Sequence, residues 1–217
     1  MQGYEMKKVA ITLVVFFLIQ LTGCFGVYKL ERPIIHYQLN PEVETVDCAV
    51  RADHVLLVMP VLVAPPYDSS RLMYSSGNFK VEPSVHYRWI TAPDSMIRAY
   101  LVKALKNMSV FGNVTAHEGI LSADYALETQ VSRLDCTRTK TGHTAHLQAS
   151  VVLIKNSRKA SKGRKICLKK SYNVLEDVQG GESPPDINNV VVALNQALKK
   201  FCLELQKDLC DYFSGNQ

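Results

Sequence analysis

Apolar residues recur along this chain with two distinct spacings, and each spacing predicts a different element. Behind Asp94, the positions Met96, Ile97, Tyr100, Leu101, Ala104, Leu105 and Met108 return every three or four residues, which paints one stripe on a helix running to about Asn107. A longer stripe of Ile187, Val190, Val191, Leu194, Leu198, Phe201, Leu205 and Leu209 predicts a second helix from about Ile187 to Tyr212, with Asn195, Lys199, Lys200 and Lys207 off it. Asp94 and Asp186 stand where a carboxylate can accept the first orphan amides, so each is read as an N-cap.

Three stretches alternate instead: Tyr125–Arg138, His143–Ile154 and Arg164–Leu175. In the first, Tyr125, Leu127, Thr129, Val131 and Arg133 share one face and Ala126, Glu128, Gln130 and Ser132 the other. That alternation suits an antiparallel sheet with helices against one face and water on the other. The separators, residues 139–142 and the basic stretch 156–163, are polar and short enough to close hairpins. Upstream, His54–Val63 is almost wholly apolar and predicts a strand buried on both faces, bulged or locally at an edge where Pro60 lacks an amide donor. Leu72–Ser75 and Phe79–Glu82 flank Ser76-Gly77-Asn78, a hairpin turn. Pro33–Leu39, Ser84–Trp89 and Val110–Thr115 add short extended pieces. The order predicts an α+β domain: a mostly antiparallel sheet with two main helices packed on one face.

The N-terminus follows a different rule. Lys7 and Lys8 precede the apolar run Val9–Leu21, which ends in Leu21-Thr22-Gly23-Cys24. A basic start, an apolar run and small residues before a processing point make a secretory signal. The run is short for a transmembrane helix, which needs about 20 residues to cross a ~30 Å hydrocarbon core. Leu21, Thr22, Gly23 and Cys24 resemble the bacterial lipobox, which implies cleavage before Cys24 and acylation of that residue. Each buried CH₂ contributes ~0.8 kcal/mol, so more than one chain on the cysteine gives a stable membrane anchor. An ordinary signal peptide or an N-terminal anchor helix, with Cys24 incidental, is the plainer alternative. Phe25, not aspartate, follows Cys24. In enteric bacteria an aspartate there resembles an inner-membrane retention signal, so its absence favours the periplasmic face of the outer membrane, with the inner membrane left open. The predicted organisation is a signal peptide over 1–23, a lipidated tether over 24–32 and a single domain over 33–217.

Composition narrows the classes. Removal of residues 1–23 leaves 194 of the 217 residues, enough for one substantial core. It takes away two lysines and one glutamate, so the formal charge falls from +5 to +4. That mild basicity suits contact with anionic headgroups and is far below what a nucleic-acid binder needs. Of the six cysteines, five remain beside Cys24, an odd number in an oxidising compartment. Cys202 and Cys210, eight apart on one helix, lie ~12 Å apart along its axis, too far to bridge. Buried thiols are the default, and one bridge, such as Cys48 to Cys136, is compatible with the pattern.

The stretch Val58–Val114 carries a family likeness. A buried strand followed by Pro and Tyr, a hairpin, then Tyr87-Arg88-Trp89 and Ala92-Pro93 before a helix of pattern Ile97, Leu101, Leu105, closing on Phe111-Gly112-Asn113-Val114, resembles the ABC-type transport auxiliary lipoproteins, the PqiC-like group. Ala123-Asp124-Tyr125-Ala126-Leu127-Glu128, the lipobox and the long C-terminal helix also resemble that family. The resemblance implies a periplasmic component that works with an MCE-domain protein and ABC transporter components moving lipid between two membranes. It carries over no catalytic residue, and the high cysteine count and the basic stretch Arg158–Lys165 depart from the pattern.

Candidate chemistry is sparse. Trp89, with Tyr87 and Arg88, is a candidate contact for a partner or for lipid, since Trp is favoured at interfaces; a domain's lone tryptophan is more often a core or rim anchor. His143 and His146 are three apart and point to opposite faces of a strand, and no third ligand is near, so no metal site is assigned. No nucleophile elbow and no phosphate loop is present, so neither catalytic residue nor cofactor is assigned. Ser161–Lys165, Lys169 and Lys170 form a solvated basic surface, or meet anionic headgroups or an acidic partner. The expected function is a non-catalytic, lipid-anchored transport subunit acting by protein contacts. The alternatives are an assembly lipoprotein for lipopolysaccharide export or cell-wall synthesis, and an anchored hydrolase. A phospholipid cavity and a solid core give the same periodicity, and the second helix's stripe is long enough to serve a second copy of the chain.

Overall fold

The computed structural model of the chain describes residues 32–77, 79–117, 122–156, 164–180 and 184–215. In order, the elements are β1 (Ile35–Tyr37), β2 (His54–Val58), β3 (Leu62–Val63), β4 (Arg71–Ser76), β5 (Lys80–Trp89), α1 (Pro93–Leu105), β6 (Phe111–Thr115), β7 (Tyr125–Arg138), β8 (His143–Lys155), β9 (Lys165–Asp177) and α2 (Ile187–Gly215). Ile34–Gln217 is one unit and Met1–Pro33 another.

The long alternating stretches became the antiparallel meander β7–β8–β9. Leu127 and Val131 on β7, and Leu147, Ala149, Val151 and Leu153 on β8, are buried on one face, while Glu128, Gln130, Ser132 and Gln148 face outward and are exposed. β7 is the axis of the sheet. One side pairs with β8; the other takes β2, β3 and β4 in succession, all parallel to it. β5 and β1 continue beyond β4, and β6 beyond β2. The sheet is mixed, with its long ladders antiparallel, and the α+β architecture is as expected.

The segment His54–Val63 is not one strand. Met59–Val61 interrupts it at Pro60: Leu56 and Val58 are buried on one face and Leu57 on the other, whereas Leu62 on β3 is 67% exposed, so burial on both faces does not extend to β3. Ser84–Trp89 is likewise no separate piece but the end of β5. Both helices cover the inner face. α1 buries Met96, Ile97, Tyr100, Leu101, Ala104 and Leu105. Its N-cap is Ala92, with Pro93 at the first helical position and no side-chain cap; Asp94 sits inside the first turn, where its charge faces the helix dipole. Asp186 does cap α2, accepting from the Asn188 amide at 3.1 Å. Among the described residues no helix is long and apolar enough to cross a membrane.

Gln38–Asp53 forms neither helix nor strand and runs as a strap against α2. Asn195 accepts from the Asn40 amide at 2.9 Å and donates to the Gln38 carbonyl at 3.3 Å. Gln206, fully buried, accepts from the Val46 amide at 2.7 Å and donates to the carbonyls of Glu44 and Ala104. A disulfide joins Cys48 to Cys210 across 162 residues, with a Cα separation of 5.3 Å. The partner of Cys48 is therefore Cys210 and not Cys136, because the strap follows α2 and Cys136 lies on β7. Cys136 and Cys202 are buried thiols and Cys167 is half-buried.

Candidate functional site

Three connections converge at one end of the sheet. The β4–β5 turn, in which Gly77 adopts φ 63°, follows from the pairing of Ser76 with Lys80. Because β4 runs parallel to β7, Ser76 lies beside Arg138, and the β7–β8 turn follows at once, closed by the Thr139 amide donating to the Gly142 carbonyl. β9 ends opposite β8's first residues, with the Val178 amide donating to the His143 carbonyl, and the chain then enters α2. Along the outer edge of β5, β1 runs parallel to it with Ile35 beside Tyr87.

Between the hairpin and the start of α2 lies a groove of about 520 Å³, its walls including Tyr74, Tyr87, Cys136, Arg138, His143 and the Pro184-Pro185 pair. Neighbouring strands explain the grouping: Tyr74 is opposite Cys136, and Arg138 opposite His143. Tyr37 stands edge-on to Tyr87 at 6.2 Å and donates its hydroxyl to Asn188 at 3.2 Å, tying β1 to α2. Burial pushes the Cys136 thiol up to about 12, helped by the Asp135 carboxylate, so it stays protonated and is a poor nucleophile. Burial raises the Tyr74 phenol as well. His143 is shifted down by burial and then by Arg138, which keeps its ring neutral near pH 7. The arrangement offers aromatic surface, neutral hydroxyls and a guanidinium at the rim. It can hold an amphipathic group.

The other face of the same strands carries a polar lock. Asp135, wholly buried, accepts from Ser75, from Arg133 Nε at 3.0 Å and from Thr137, and a cleft of about 330 Å³ opens beside it. With its oxygens satisfied, this carboxylate joins β4 to β7. Sequence reasoning missed it, although Arg133 and Asp135 sit two apart on one strand, the spacing that puts opposite charges on one face. A further groove of about 400 Å³ lies on the outer face around Met59, Pro60 and Leu62.

Leu21, Thr22, Gly23 and Cys24 lie outside the described residues. Tyr87 lines the groove, half-buried. Arg88 is also half-buried, and its Nε has no hydrogen-bond partner among the described residues. Trp89 is 3% exposed and belongs to the core, which is the anchoring alternative and leaves its ring no free surface. His146 bonds to Asn173 on the face opposite His143, and among the described residues no group of His, Cys, Asp and Glu is arranged to hold a metal. Residues 157–163 of the basic stretch lie outside the described residues; Lys170 is bonded to Asp208 at 2.6 Å.

An α+β body with a meander as its spine and two helices on one face is the class this fold defines. Residues 37–205 match the family model of the ABC-type transport auxiliary lipoprotein component, and the chain belongs to that family. No curated protein matches it. In fold it is similar to a protein from Xanthomonas campestris, at 17% identity and a TM-score of 0.68, over 84% of this chain and 98% of that one. It is also similar to a hypothetical protein from Chlamydia trachomatis, at 9% identity and a TM-score of 0.55, over 76% of this chain and the whole of that one. The resemblance read from Val58–Val114 is thus the right family.

Proposed function

We propose that this auxiliary lipoprotein is a non-catalytic subunit, acylated at Cys24 behind the lipobox residues Leu21, Thr22 and Gly23, and held at the periplasmic face of the outer membrane. There it supports an MCE-type lipid transport system through contacts with an MCE-domain protein and ABC transporter components. The match over residues 37–205 carries the transport assignment. The groove is consistent with the non-catalytic part: it gathers hydroxyls, a protonated thiol and a neutral imidazole around aromatic rings, a surface that binds and does not cleave.

Two experiments test the two halves. Labelling of cells with a palmitate analogue should mark the wild type and not a Cys24→Ser variant; label that persists in the variant removes the anchor. Crosslinking in intact envelopes followed by pull-down should recover MCE and ABC components; recovery of lipopolysaccharide-export or cell-wall machinery in their place moves the subunit to a different assembly.

A further inference from the structure

We infer that the outer edge of β9 pairs with the same edge of a second copy of this chain, antiparallel and centred on Asn173, so that one sheet continues across two molecules. The inference is independent of the anchor and of the transport reading. Among the described residues the sheet ends on β1, β6 and β9. β1 has 3 residues and β6 has 5, and edges that short offer a neighbour little to pair with. β9 has 13 and, among the described residues, pairs only with β8, which leaves a row of backbone donors and acceptors along its other side. The Val178 amide bonds to the His143 carbonyl in the β8 register, and antiparallel bonding alternates, so Tyr172, Val174 and Glu176 bond to β8. The amides and carbonyls of Lys169, Ser171, Asn173, Leu175 and Asp177 therefore point away from it.

Charge along the strand selects the occupant. Lys165, Lys169 and Lys170 stand in its first half, and Glu176 and Asp177 at its end. Lysines and a bulge are ordinary guards of an exposed edge, and β9 has both, the bulge falling at Cys167. They discourage a copy laid parallel and in register, which would set lysine beside lysine. An antiparallel copy instead meets the lysines with its own acidic end. The regular part of the strand runs from Leu168 to Asp177, and only the register centred on Asn173 sets Lys169 opposite Asp177 of the second copy. Two-fold symmetry makes that contact twice. Lys169 and Asp177 are both exposed on the outer face, and among the described residues neither is in an ion pair within its own chain. The inner-face charges are already partnered on α2, Lys170 with Asp208 at 2.6 Å and Glu176 with Lys200 at 3.0 Å. Leu175, 51% exposed on the outer face, falls opposite Ser171 of the second copy and gains cover there.

The test is thiol crosslinking of the full chain in intact cell envelopes, in a Cys167→Ser background whose own yield sets the baseline; Cys136 and Cys202 are buried. Asn173→Cys places a thiol opposite its symmetry mate, where directly opposed Cβ atoms lie ~5 Å apart, within reach of a short bifunctional reagent. Val85→Cys, 69% exposed on β5, is the control away from the edge. The expected result is a dimer band for Asn173→Cys and none above baseline for Val85→Cys. Adding Lys169→Asp sets like charges against each other in both contacts and should cut the dimer about fivefold; adding Asp177→Lys as well exchanges the signs and should restore it. The Cys48–Cys210 bridge, read as mobility on non-reducing gels, reports that each variant is folded. No dimer above baseline at position 173, or equal yields at 173 and 85, overturns the inference. So does a double reversal that stays as low as Lys169→Asp alone. A crosslinked band of another mass in place of the dimer gives the edge to a different protein and overturns the second copy as its occupant.

Discussion

The two ends of one sheet are built from the same residue types and finished in opposite ways. At the end where β2 begins, Phe213 near the end of α2 meets His54, Phe111, Tyr125 and Tyr212 at ring-centroid distances of 5.5, 5.6, 5.2 and 5.0 Å, mostly edge to face. At the hairpin end Tyr74 and Tyr87 line an open groove and Phe79 meets solvent with 96% of its surface. Aromatic rings that pack on one another stabilise; rings that are left uncovered cost solubility and persist where something else covers them. The contrast separates the part of the molecule that holds it together from the part available for contact.

Removing the closed end's central ring should have the largest effect. Phe213 is 6% exposed, and Phe213→Ala leaves a cavity bordered by four rings, so a loss of about 3–5 kcal/mol is expected in denaturant unfolding. Next comes the disulfide. Cys210→Ser opens a loop that spans most of the domain, with an expected cost of about 2–4 kcal/mol and a slower band on non-reducing gels. Gln206→Leu keeps the volume of a buried side chain but strands the Val46 amide and the Glu44 carbonyl, for about 1–3 kcal/mol. Its signature is local: strap amides around Val46 should exchange with solvent well before those of β8.

The groove should register pH through His143. His143 has its proton affinity lowered in the fold by burial and by Arg138, so the unfolded chain takes up a proton first. The stabilising contribution is complete above the unfolded value near 6.5 and is lost as pH falls through it towards the lower folded value. Melting temperatures measured across that window should decline with acidification more steeply in the wild type than in His143→Asn. Equal slopes would place the pH dependence elsewhere.

How much of this was legible follows from which interactions have a period. The stripes on α1 and α2 and the alternation of β7 to β9 are repeated patterns, and a repeated pattern survives local noise. β2, β3 and β4 are too short to encode a register, so nothing in Leu62-Val63 announces that it pairs with Gln130-Val131. The strap has no period at all. Its position is written in two amide side chains on α2, Asn195 and Gln206, and in Cys210, and only the fold brings these to Gln38, Val46 and Cys48. Hence the geometry that rules out a Cys202–Cys210 bridge was readable, while the true partner of Cys48 was not. Tyr87 and Arg88 stood out as contact candidates, and Tyr87 does line the groove; Tyr74, Arg138 and His143 join it through strand pairing that the sequence does not display.

The smallest effect on stability belongs to the residue at the open tip. Phe79 touches so little of its own chain that Phe79→Ser should shift the unfolding free energy by less than about 0.5 kcal/mol, the range for open surface positions. Phe213→Ala and Phe79→Ser therefore exchange one ring each at opposite ends of one sheet with effects on folding that differ several-fold. If Phe79→Ser destabilises the isolated body by an amount comparable to Phe213→Ala, the hairpin tip is packed in solution and the division between the two ends fails. If stability is unchanged, an intact body with an altered tip becomes the reagent that separates folding from contact.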